Sequence, residues 1–459
     1  MGRRSKSTRL SLWMNGIPVG TWEVDGTGKH QLTYDDSWLE LEQGRPVSLS
    51  MPLRPAVPYS GDVVRNFFEN LLPDNRVIRE RLQARFHTPS TSAQDLLAEI
   101  GRDCVGALAL LPEGRFPDGF DRIEGEQLSE GDIEQALERV TDDRRQVDDH
   151  DFRISIAGVQ EKTAFLWSDG RWMRPVGATP TTHIFKLPLG IPPSGIDLST
   201  SVENEWLCAR ILNAYEVPVA IGEIARFGRL KVLVVPRFDR QPSSDGTWIV
   251  RLPQEDFAQI CGVGPDAKYE ADGGPGITSM LERLLGSTRA TSDQYDFFRS
   301  QVLYWMLAAI DGHAKNFSVF IGPRGRFRLT PRYDVLSAYP VLGHGRGKLA
   351  PEKVKMAMAV WGSNRHYKWR EIRRSHFEQT ARQCGLGRWI PDLIEDLVER
   401  TPGVIQRVSG DLPHGFPDAV SSPILDGLAS AARRLKQRTY LNLESRPWRR
   451  RQPPTSPPP

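Results

Sequence analysis

Three polar side chains in the second half of the chain have the types and spacing that phosphoryl transfer requires. Asp311 is followed five residues later by the amide Asn316, and a second carboxylate, Asp334, lies further along. A kinase site needs an aspartate facing the incoming hydroxyl, together with an asparagine and an aspartate that hold magnesium on a nucleotide. The Asp-x4-Asn spacing is also that of the protein-kinase catalytic loop.

A predicted hairpin separates these groups in the sequence and would reunite them in space. Apolar residues alternate over 317–321 and again over 326–330, on either side of a Gly/Pro turn at 322–325. Such alternation around a turn is typical of a β-hairpin, whose return strand would bring Asp334 back beside Asp311. The alternative is an ordinary solvated hairpin that carries surface carboxylates.

Upstream segments could bind the nucleotide phosphates. Residues 157–162 form a loop between strand-like flanks. Backbone N–H groups in such a loop can bind phosphates, with a plain hairpin as the alternative. Lys186 lies in a short apolar strand, where a kinase keeps its phosphate-binding lysine, although such a lysine can also point to solvent. Glu203 or Glu205, on the next predicted helix, could orient it.

Two apolar segments complete this arrangement. Residues 230–238 are almost wholly apolar and predict a strand. In kinase-like folds such a strand leads into the hinge that binds adenine through its backbone. Residues 295–310 predict a buried helix, which would deliver Asp311 from its end and fix that carboxylate on a rigid element.

The first 112 residues predict a compact α/β domain without a catalytic constellation. Asn15-Gly16 predicts a hairpin turn between two strands. Asn66, Asn70 and Asp74 are expected to be helix caps or part of a solvated face. The further elements predicted are an extended segment at 46–53, helices at 62–75, 76–86 and 92–100, and a strand at 105–111.

The remaining segments are assigned from composition and periodicity. Residues 113–151 are charged and polar and predict a linker with one short helix at 129–140. The Arg- and Pro-rich residues 445–459 are expected to be disordered. Helices are predicted after Asp334 at 354–360, 369–390, 392–400 and 423–440.

Composition bounds the class of protein without naming it. The 459 residues suffice for two or three domains, and 60 basic against 57 acidic residues say little about partners. No apolar run approaches the length of a membrane span, and no secretion signal is apparent. The four cysteines are scattered and form no CxxC pair, so neither a zinc site nor a disulfide framework is indicated. A cytoplasmic protein is expected.

Several longer passages resemble the HipA toxin kinases, over residues 20–440. The most specific are NFFENLLPD, LLAEIGRDCVGA, DFRISIAGVQEKTA, TPTTHIFKLPLG, RLPQED, KYEADGGPG, DGHAKNFSVF and YDVLSAYP. The resemblance implies an α+β, two-lobed protein-kinase-like fold with an extra N-terminal α/β domain and a mostly helical C-terminal lobe. The expected divisions are an N-terminal domain (1–112), a linker (113–151), an N-lobe (152–252), a C-lobe (253–443) and a tail (444–459).

The resemblance also implies a Ser/Thr protein kinase that uses ATP and Mg²⁺. By its motifs, Asp311 would be the catalytic base, and Asn316 and Asp334 the magnesium ligands. Ser155 matches the family's autophosphorylation position, where a phosphate beside the ATP phosphates would suggest self-inactivation. The residues implied to contact ATP are Ala157, Gly158, Val159, Gln160, Glu161, Lys162, Lys186, Pro236, Arg237, Phe238, His313, Ala314, Lys315, Asn316, Tyr333 and Asp334.

One hinge residue departs from the family pattern. The family commonly has an acidic residue where this chain has Pro236. Proline has no backbone N–H to donate. Any adenine contact at that position must therefore use its carbonyl, or fall to Phe238.

Partners follow from the same resemblance. Family members pair with a small helix-turn-helix antitoxin of the HipB type, and the complex binds operator DNA. The familiar protein substrate is glutamyl-tRNA synthetase, whose phosphorylation stalls translation and favours persistence. Arg370, Arg373 and Arg374 lie where the family touches DNA, although a solvated helix face is the alternative. Two other functions stay open, a small-molecule phosphotransferase and a catalytically dead, antitoxin-binding co-repressor.

Overall fold

The computed structural model describes residues 8–55, 57–141, 160 and 162–437. Ser155 and four residues of the predicted phosphate loop (Ala157, Gly158, Val159 and Glu161) lie outside the described residues. The Arg- and Pro-rich segment predicted to be disordered lies outside them as well.

An antiparallel five-stranded sheet packed against helices forms the N-terminal domain. Trp22 and Phe68 stack with ring centroids 3.8 Å apart and join the sheet to the second helix. The strands follow the spatial order β4-β3-β2-β1-β5. The elements are β1 (Thr8–Met14), β2 (Ile17–Val24), β3 (His30–Tyr34), α1 (Asp36–Glu40), β4 (Tyr59–Ser60), α2 (Asp62–Glu69), α3 (Arg76–Phe86), α4 (Ala93–Ile100) and β5 (Leu108–Pro112).

Most of the secondary-structure predictions for this domain are confirmed. The β1–β2 hairpin is confirmed, and Asn15 and Gly16 both have the positive φ that its tight turn requires. Helices α3 and α4 are also confirmed, whereas α2 ends at Glu69, before the predicted end at residue 75. The extended segment predicted at 46–53 is wrong, because its β pairing is limited to an isolated bridge between Ser48 and Met51.

A six-stranded antiparallel sheet forms the N-lobe, in the order β10-β11-β9-β7-β8-β6. The segment predicted as a linker contributes its edge strand β6. It also supplies α5, which buries Ile133 and Leu137 against the sheet. The domain boundaries themselves stay a prediction. The elements are β6 (Gly125–Gln127), α5 (Glu130–Thr141), β7 (Lys162–Ser168), β8 (Arg171–Pro175), β9 (His183–Lys186), α6 (Ser201–Ala214), β10 (Glu223–Phe227) and β11 (Leu230–Pro236).

Helices dominate the C-lobe, and the largest hydrophobic core lies around α6 and the buried helix α9. The strands that follow β11 in the chain are β12 (Arg240–Pro242), β13 (Ile249–Arg251), β14 (Gln254–Asp256), β15 (Ser318–Ile321), β16 (Phe327–Leu329), β17 (Lys355–Trp361) and β18 (Arg365–Lys368). The helices are α7 (Phe257–Ile260), α8 (Ile277–Leu284), α9 (Ala290–Met306), α10 (Arg374–Gln383), α11 (Ile390–Gly410) and α12 (Asp418–Lys436). Within the described part of the chain, no helix has the length and apolar character to cross a bilayer.

The hairpin predicted between Asn316 and Asp334 is confirmed as β15 and β16, with β14 as a third strand. Two other predictions here are wrong. Residues 354–360 form strand β17 instead of a helix, since a short apolar run fits either element and pairing with β18 decides it. Helix α9 ends at Met306 instead of at Ile310, because Ala308 turns the chain with φ 47°.

Helix boundaries also shift beyond β18. The helix predicted over 369–390 is a short 3₁₀ turn followed by α10, and 392–400 is only part of the longer α11. The prediction at 423–440 falls within α12 up to Lys436. These differences lie at helix ends, where sequence signals are weakest.

Buried polar contacts dock the N-terminal domain on the rest of the molecule. Asp103 pairs with Arg237 (3.2 Å) and Arg240 (2.7 Å), all three side chains being nearly inaccessible. Gly106 has φ 77°, and a Cβ there would meet the backbone oxygen of Gln254 at 2.8 Å. This close approach explains the glycine in the CVGA passage.

Glu255 makes a second buried contact across the same interface. It is 1% exposed and accepts hydrogen bonds from Ser48 Oγ (2.5 Å) and the Leu49 N–H (2.7 Å). Burial raises the pKa of Glu255 to about 8, despite these two hydrogen bonds. The folded protein therefore holds a proton there that the unfolded chain, with an ordinary glutamate pKa of about 4.3, would release at lower pH.

That proton makes stability depend on pH. The folded state binds more protons than the unfolded state between about pH 5 and about pH 8, so the free energy of unfolding should fall as pH rises through this window. Glu255→Gln is neutral throughout and should gain stability relative to the wild type at the upper end. Urea unfolding at both pH values measures this, with Glu40→Gln, an exposed acid on α1, as the control. Parallel pH curves for wild type and Glu255→Gln would contradict it.

Candidate functional site

A cleft between the six-stranded sheet and the C-lobe gathers most of the predicted site residues. The N-terminal domain closes one side of it through Asn70, Leu71, Asp74 and Val105. The predicted residues that line the cleft are Lys162, Lys186, Pro236, Arg237, Phe238, Asp311, His313, Lys315, Asn316, Tyr333 and Asp334.

Lys186 lies at the centre of the charged part of this cleft. Its Nζ donates to Glu205 Oε1 at 2.6 Å and to Asp334 Oδ1 at 2.9 Å. Glu203, the other candidate partner, instead binds Lys231 on the neighbouring strand β11. Of the two glutamates that could orient Lys186, Glu205 is therefore the one that does.

These charges perturb one another. Burial alone would raise the pKa of Asp334, but the ammonium groups of Lys186 and Lys162 outweigh it and hold that pKa below its usual range. Burial lowers the pKa of Lys162 to about 8, although Asp334 opposes this. Burial would lower the pKa of Lys186 too, but Asp334 and Glu205 raise it. At neutral pH the cleft thus holds an ionised carboxylate beside a protonated lysine.

Asn316 links the ends of the hairpin. Its side-chain Nδ2 donates to the backbone carbonyls of Asp311 (3.2 Å) and Asp334 (3.3 Å). With the nitrogen so engaged, the oxygen of the same amide is the atom left to contact a ligand. Asp334 has φ 60°, a left-handed conformation that aspartate tolerates better than most residues. The three residues predicted from spacing alone therefore meet at one place.

Asp311 sits on a loop with its carboxylate 56% exposed. Tyr269 donates its hydroxyl to Asp311 Oδ1 at 2.5 Å, and His313 Nε2 lies 4.0 Å from Oδ2. The ring of Tyr269 packs edge-on against that of His313, 5.0 Å between centroids. Burial lowers the pKa of His313, against the attraction of Asp311. A neutral imidazole and a phenol thus flank a carboxylate that faces solvent.

The hinge, residues 236–238, offers few free backbone groups. The Arg237 N–H donates to Thr182 O at 2.8 Å, and its guanidinium is buried in ion pairs. The pairing of β10 with β11 ends at Val234, before Pro236. Because Pro236 has no partner on β10, its missing N–H costs the sheet no hydrogen bond there. The Pro236 carbonyl and the Phe238 N–H are candidates to contact a ligand. Phe238 packs on Tyr333, 5.7 Å between centroids.

The sequence analysis missed several residues at the site, although they lie in passages quoted there. Asp74 ends NFFENLLPD, and Lys268 and Tyr269 begin KYEADGGPG. Asp74 was expected to be solvated, and this is wrong. Its carboxylate binds Lys315 (2.6 Å) and Lys268 (2.8 Å). Burial would raise the pKa of Asp74, but these two lysines lower it.

Other predicted residues lie away from the cleft wall. The Gln160 side chain donates to Leu187 O at 2.5 Å, and Ala314 is buried in the main core. Arg374 is buried in ion pairs with Glu378 and Glu395, so it does not belong to the solvated helix face that was the alternative to a DNA contact. Arg370 and Arg373 are exposed.

The donor set bears on metal binding. Across the described ranges, no cluster of three or more His, Cys, Asp or Glu side chains could hold a metal by itself. One carboxylate (Asp334) and one amide (Asn316) instead suit Mg²⁺, which takes few protein ligands and completes its shell with substrate phosphates and water.

Two family models match the chain. The HipA-like C-terminal domain matches residues 154–405, and the HipA N-terminal domain matches residues 10–111. Together they cover the N-terminal domain, the cleft and most of the C-lobe.

Two named proteins are similar to most of this chain. The chain is 31% identical over 417 residues to "Putative kinase Y4mE" of Sinorhizobium fredii, covering 89% of this chain and 94% of that protein. It is 26% identical over 352 residues to the serine/threonine-protein kinase toxin HipA of Shewanella oneidensis, covering 72% and 76% respectively.

The fold has a solved counterpart. HipA of Shewanella oneidensis, in its complex with HipB and operator DNA, superposes with a TM-score of 0.75 over 93% of this chain and 97% of that chain, at 22% identity. The two chains share the α+β kinase fold with its N-terminal domain. With these matches, the chain belongs to the HipA family of kinases.

Proposed function

We propose that this chain is a serine/threonine protein kinase that transfers the terminal phosphate of ATP with the help of Mg²⁺. The observation that carries the proposal is the meeting of Asp311, Asn316 and Asp334 at one cleft, beside the Lys186–Glu205 pair. These are the groups that phosphoryl transfer uses for positioning and charge stabilisation.

The cleft fits a nucleotide at both ends. Its hinge side is lined by apolar groups suited to a flat base, and the Pro236 carbonyl and the Phe238 N–H could bind the edge of adenine. Its inner side carries the ammonium groups of Lys186 and Lys162, which could contact phosphates. The apolar lining consists of Val105, Ile184, Ala220, Val235 and the ring of Phe238.

Asn316 and Asp334 would hold the magnesium ion, through an amide oxygen and an ionised carboxylate. When bound, Mg²⁺ neutralises negative charge on the phosphates. The depressed pKa of Asp334 keeps its carboxylate ionised at neutral pH, as a metal ligand requires.

Asp311 would accept the proton of the attacking hydroxyl, and Tyr269 would hold its carboxylate in place. The 56% exposure of the Asp311 side chain supports a macromolecular substrate, because a serine on a protein surface can approach it without burying its chain. A small-molecule kinase would gain more from an enclosed acceptor site.

The wider role follows from the relatives. We propose that the chain is the toxin of a toxin–antitoxin pair and binds a HipB-like helix-turn-helix antitoxin, the complex then binding operator DNA. The solved Shewanella oneidensis assembly of HipA, HipB and operator DNA supports this arrangement. Phosphorylation of glutamyl-tRNA synthetase or another tRNA synthetase, autophosphorylation at Ser155, and DNA contacts by Arg370 and Arg373 belong to the same proposal.

The central test removes the two carboxylates in turn. Asp311→Asn should lower phosphate transfer by about 10²- to 10⁴-fold, the usual contribution of a positioned general base. Asp334→Asn should lower it at least as much, since it also removes a partner of Lys186. Intact-mass analysis after MgATP addition, with and without a panel of tRNA synthetases, measures the transfer. Asp266→Asn, an exposed acid, is the control, and wild-type transfer by both cleft variants would refute the assignment.

A second test uses a matched pair of strand lysines. Lys186 on β9 and Lys231 on β11 each bind a glutamate of α6, but only Lys186 lines the cleft. Lys186→Gln should raise the Kd for MgATP by about tenfold to a hundredfold, the value of a hydrogen bond to a charged group. Lys231→Gln should leave it unchanged. Calorimetry measures both, and equal effects would exclude a phosphate contact by Lys186.

A third test concerns Tyr269. Tyr269→Phe removes the hydroxyl that donates to Asp311 and should lower kcat by about tenfold, because a misplaced base transfers protons poorly. The Kd for MgATP should not change, since the contact of Tyr269 is to the carboxylate. Tyr295→Phe, on α9, serves as the control. An unchanged kcat in Tyr269→Phe would mean that Asp311 needs no such support.

A further inference from the structure

Asp74 is a buried charge that the N-terminal domain inserts beside the cleft. It lies beyond α2, at the end of the NFFENLLPD passage, and its side chain is 11% exposed. Its two carboxylate oxygens bind two different lysines, Oδ1 binding Lys315 Nζ at 2.6 Å and Oδ2 binding Lys268 Nζ at 2.8 Å. Neighbouring Asn70 also accepts from Lys315, through its backbone carbonyl at 3.4 Å.

The two lysines belong to the two segments that carry the proposed chemistry. Lys315 directly precedes Asn316, on the loop that begins with Asp311. Lys268 directly precedes Tyr269, whose hydroxyl binds Asp311. The two segments also touch through their backbones, where the Ala314 N–H donates to Lys268 O at 3.2 Å. One carboxylate from another domain therefore joins both supports of the same aspartate.

Charge makes this arrangement sensitive to a single substitution. Lys315 and Lys268 have side chains only 5% and 13% exposed, so water screens their mutual repulsion poorly. Asp74 is the counter-ion between them. A neutral side chain in its place would leave two nearly buried ammonium groups facing each other, and at least one of them would have to move.

The other ends of these segments are held elsewhere. Glu270, next to Tyr269, accepts from the Ala359 N–H at 2.6 Å on β17. Tyr333 donates to Lys315 O at 2.8 Å. The segments would therefore stay folded without Asp74, and what changes is the placement of the lysines and of the groups beside them.

We propose that Asp74 is a positioning residue for phosphoryl transfer, so that the N-terminal domain is a working part of the catalytic unit. The proposal rests on the proposed kinase function. Asp74 acts through Lys315 and Lys268, which set the positions of Asn316 and Tyr269 and thereby of Asp311. Small displacements of such groups have large effects on the rate, because a shift of about 1 Å can cost about a hundredfold.

The expected signature is a loss of rate without a loss of nucleotide binding. Asp74→Asn removes the negative charge but keeps the size of the side chain. It should lower kcat at least about tenfold, whereas the Kd for MgATP should stay equal or become tighter, since the freed lysines add positive charge near the phosphates. General damage to the site would weaken binding and rate together. Asp74→Glu, which keeps the charge, should recover part of the rate.

The experiment compares full-length wild type, Asp74→Asn, Asp74→Glu and Asp62→Asn. Asp62 is the matched control, an 80% exposed acid in the first turn of α2 that pairs with Arg65. Phosphate transfer from MgATP is measured by ADP release and by the mass gain of the tRNA synthetases in the panel. Binding of MgATP is measured by calorimetry, and thermal unfolding checks that each variant is folded.

The outcomes separate this inference from the proposed function. Absence of transfer by the wild type would refute the kinase assignment itself. An active wild type with Asp74→Asn at the same or a higher rate, or with rate and affinity reduced in parallel, would overturn the positioning role alone.

If Asp74→Asn does not fold, Lys268→Gln tests the same link from the other side. It removes one of the two ion pairs and should lower kcat with the affinity for MgATP retained. A wild-type kcat in Lys268→Gln would overturn the proposal as well.

Discussion

The ion pairs of one buried lysine, Lys186, connect the two lobes at the cleft. Lys186 comes from the N-lobe sheet, Glu205 from α6 and Asp334 from the loop after β16, and the three charged groups meet within hydrogen-bonding distance. Removing Lys186 would leave the carboxylates of Glu205 and Asp334 without the ammonium group between them, which is far more costly than the modest net gain of the pairs themselves. The relative position of the two lobes and the ionisation of Asp334 are therefore set together, by the same contact.

Polar contacts hold the N-terminal domain on the rest of the molecule. Asn66 and Asn70 donate to the carbonyls of Gly262 and Val263, both at 2.8 Å, while Asp103 and Glu255 are satisfied across the same junction. Buried polar groups must find partners or lose the free energy of desolvation. Directional polar contacts allow the N-terminal domain only one position on the rest of the molecule, whereas a purely apolar interface would allow small shifts. The cleft can therefore include a wall from a separate domain without losing its geometry.

Much of the site was accessible from the sequence because its signals are local. Asp311, Asn316 and Asp334 lie within one hairpin unit, and alternation with a Gly/Pro turn predicts that hairpin directly. Residues 354–360 were assigned wrongly, since their short apolar run suits a strand or a helix and only the pairing with β18 distinguishes them. Asp74 was taken as solvated because the helical pattern of α2 shows one apolar face, while the partner of Asp74, Lys315, is 241 residues away.

The sequence by itself determined the kind of chemistry and the elements that carry it, because residue types and short spacings encode both. Only the tertiary structure decided which side chains meet. Glu203 and Glu205 are equivalent candidates in the sequence, but two residues along an α-helix turn a side chain by about 200°. Glu203 therefore faces Lys231 on β11 and Glu205 faces Lys186 on β9. Such a choice depends on how a helix is rotated against a sheet, and no local pattern contains that rotation.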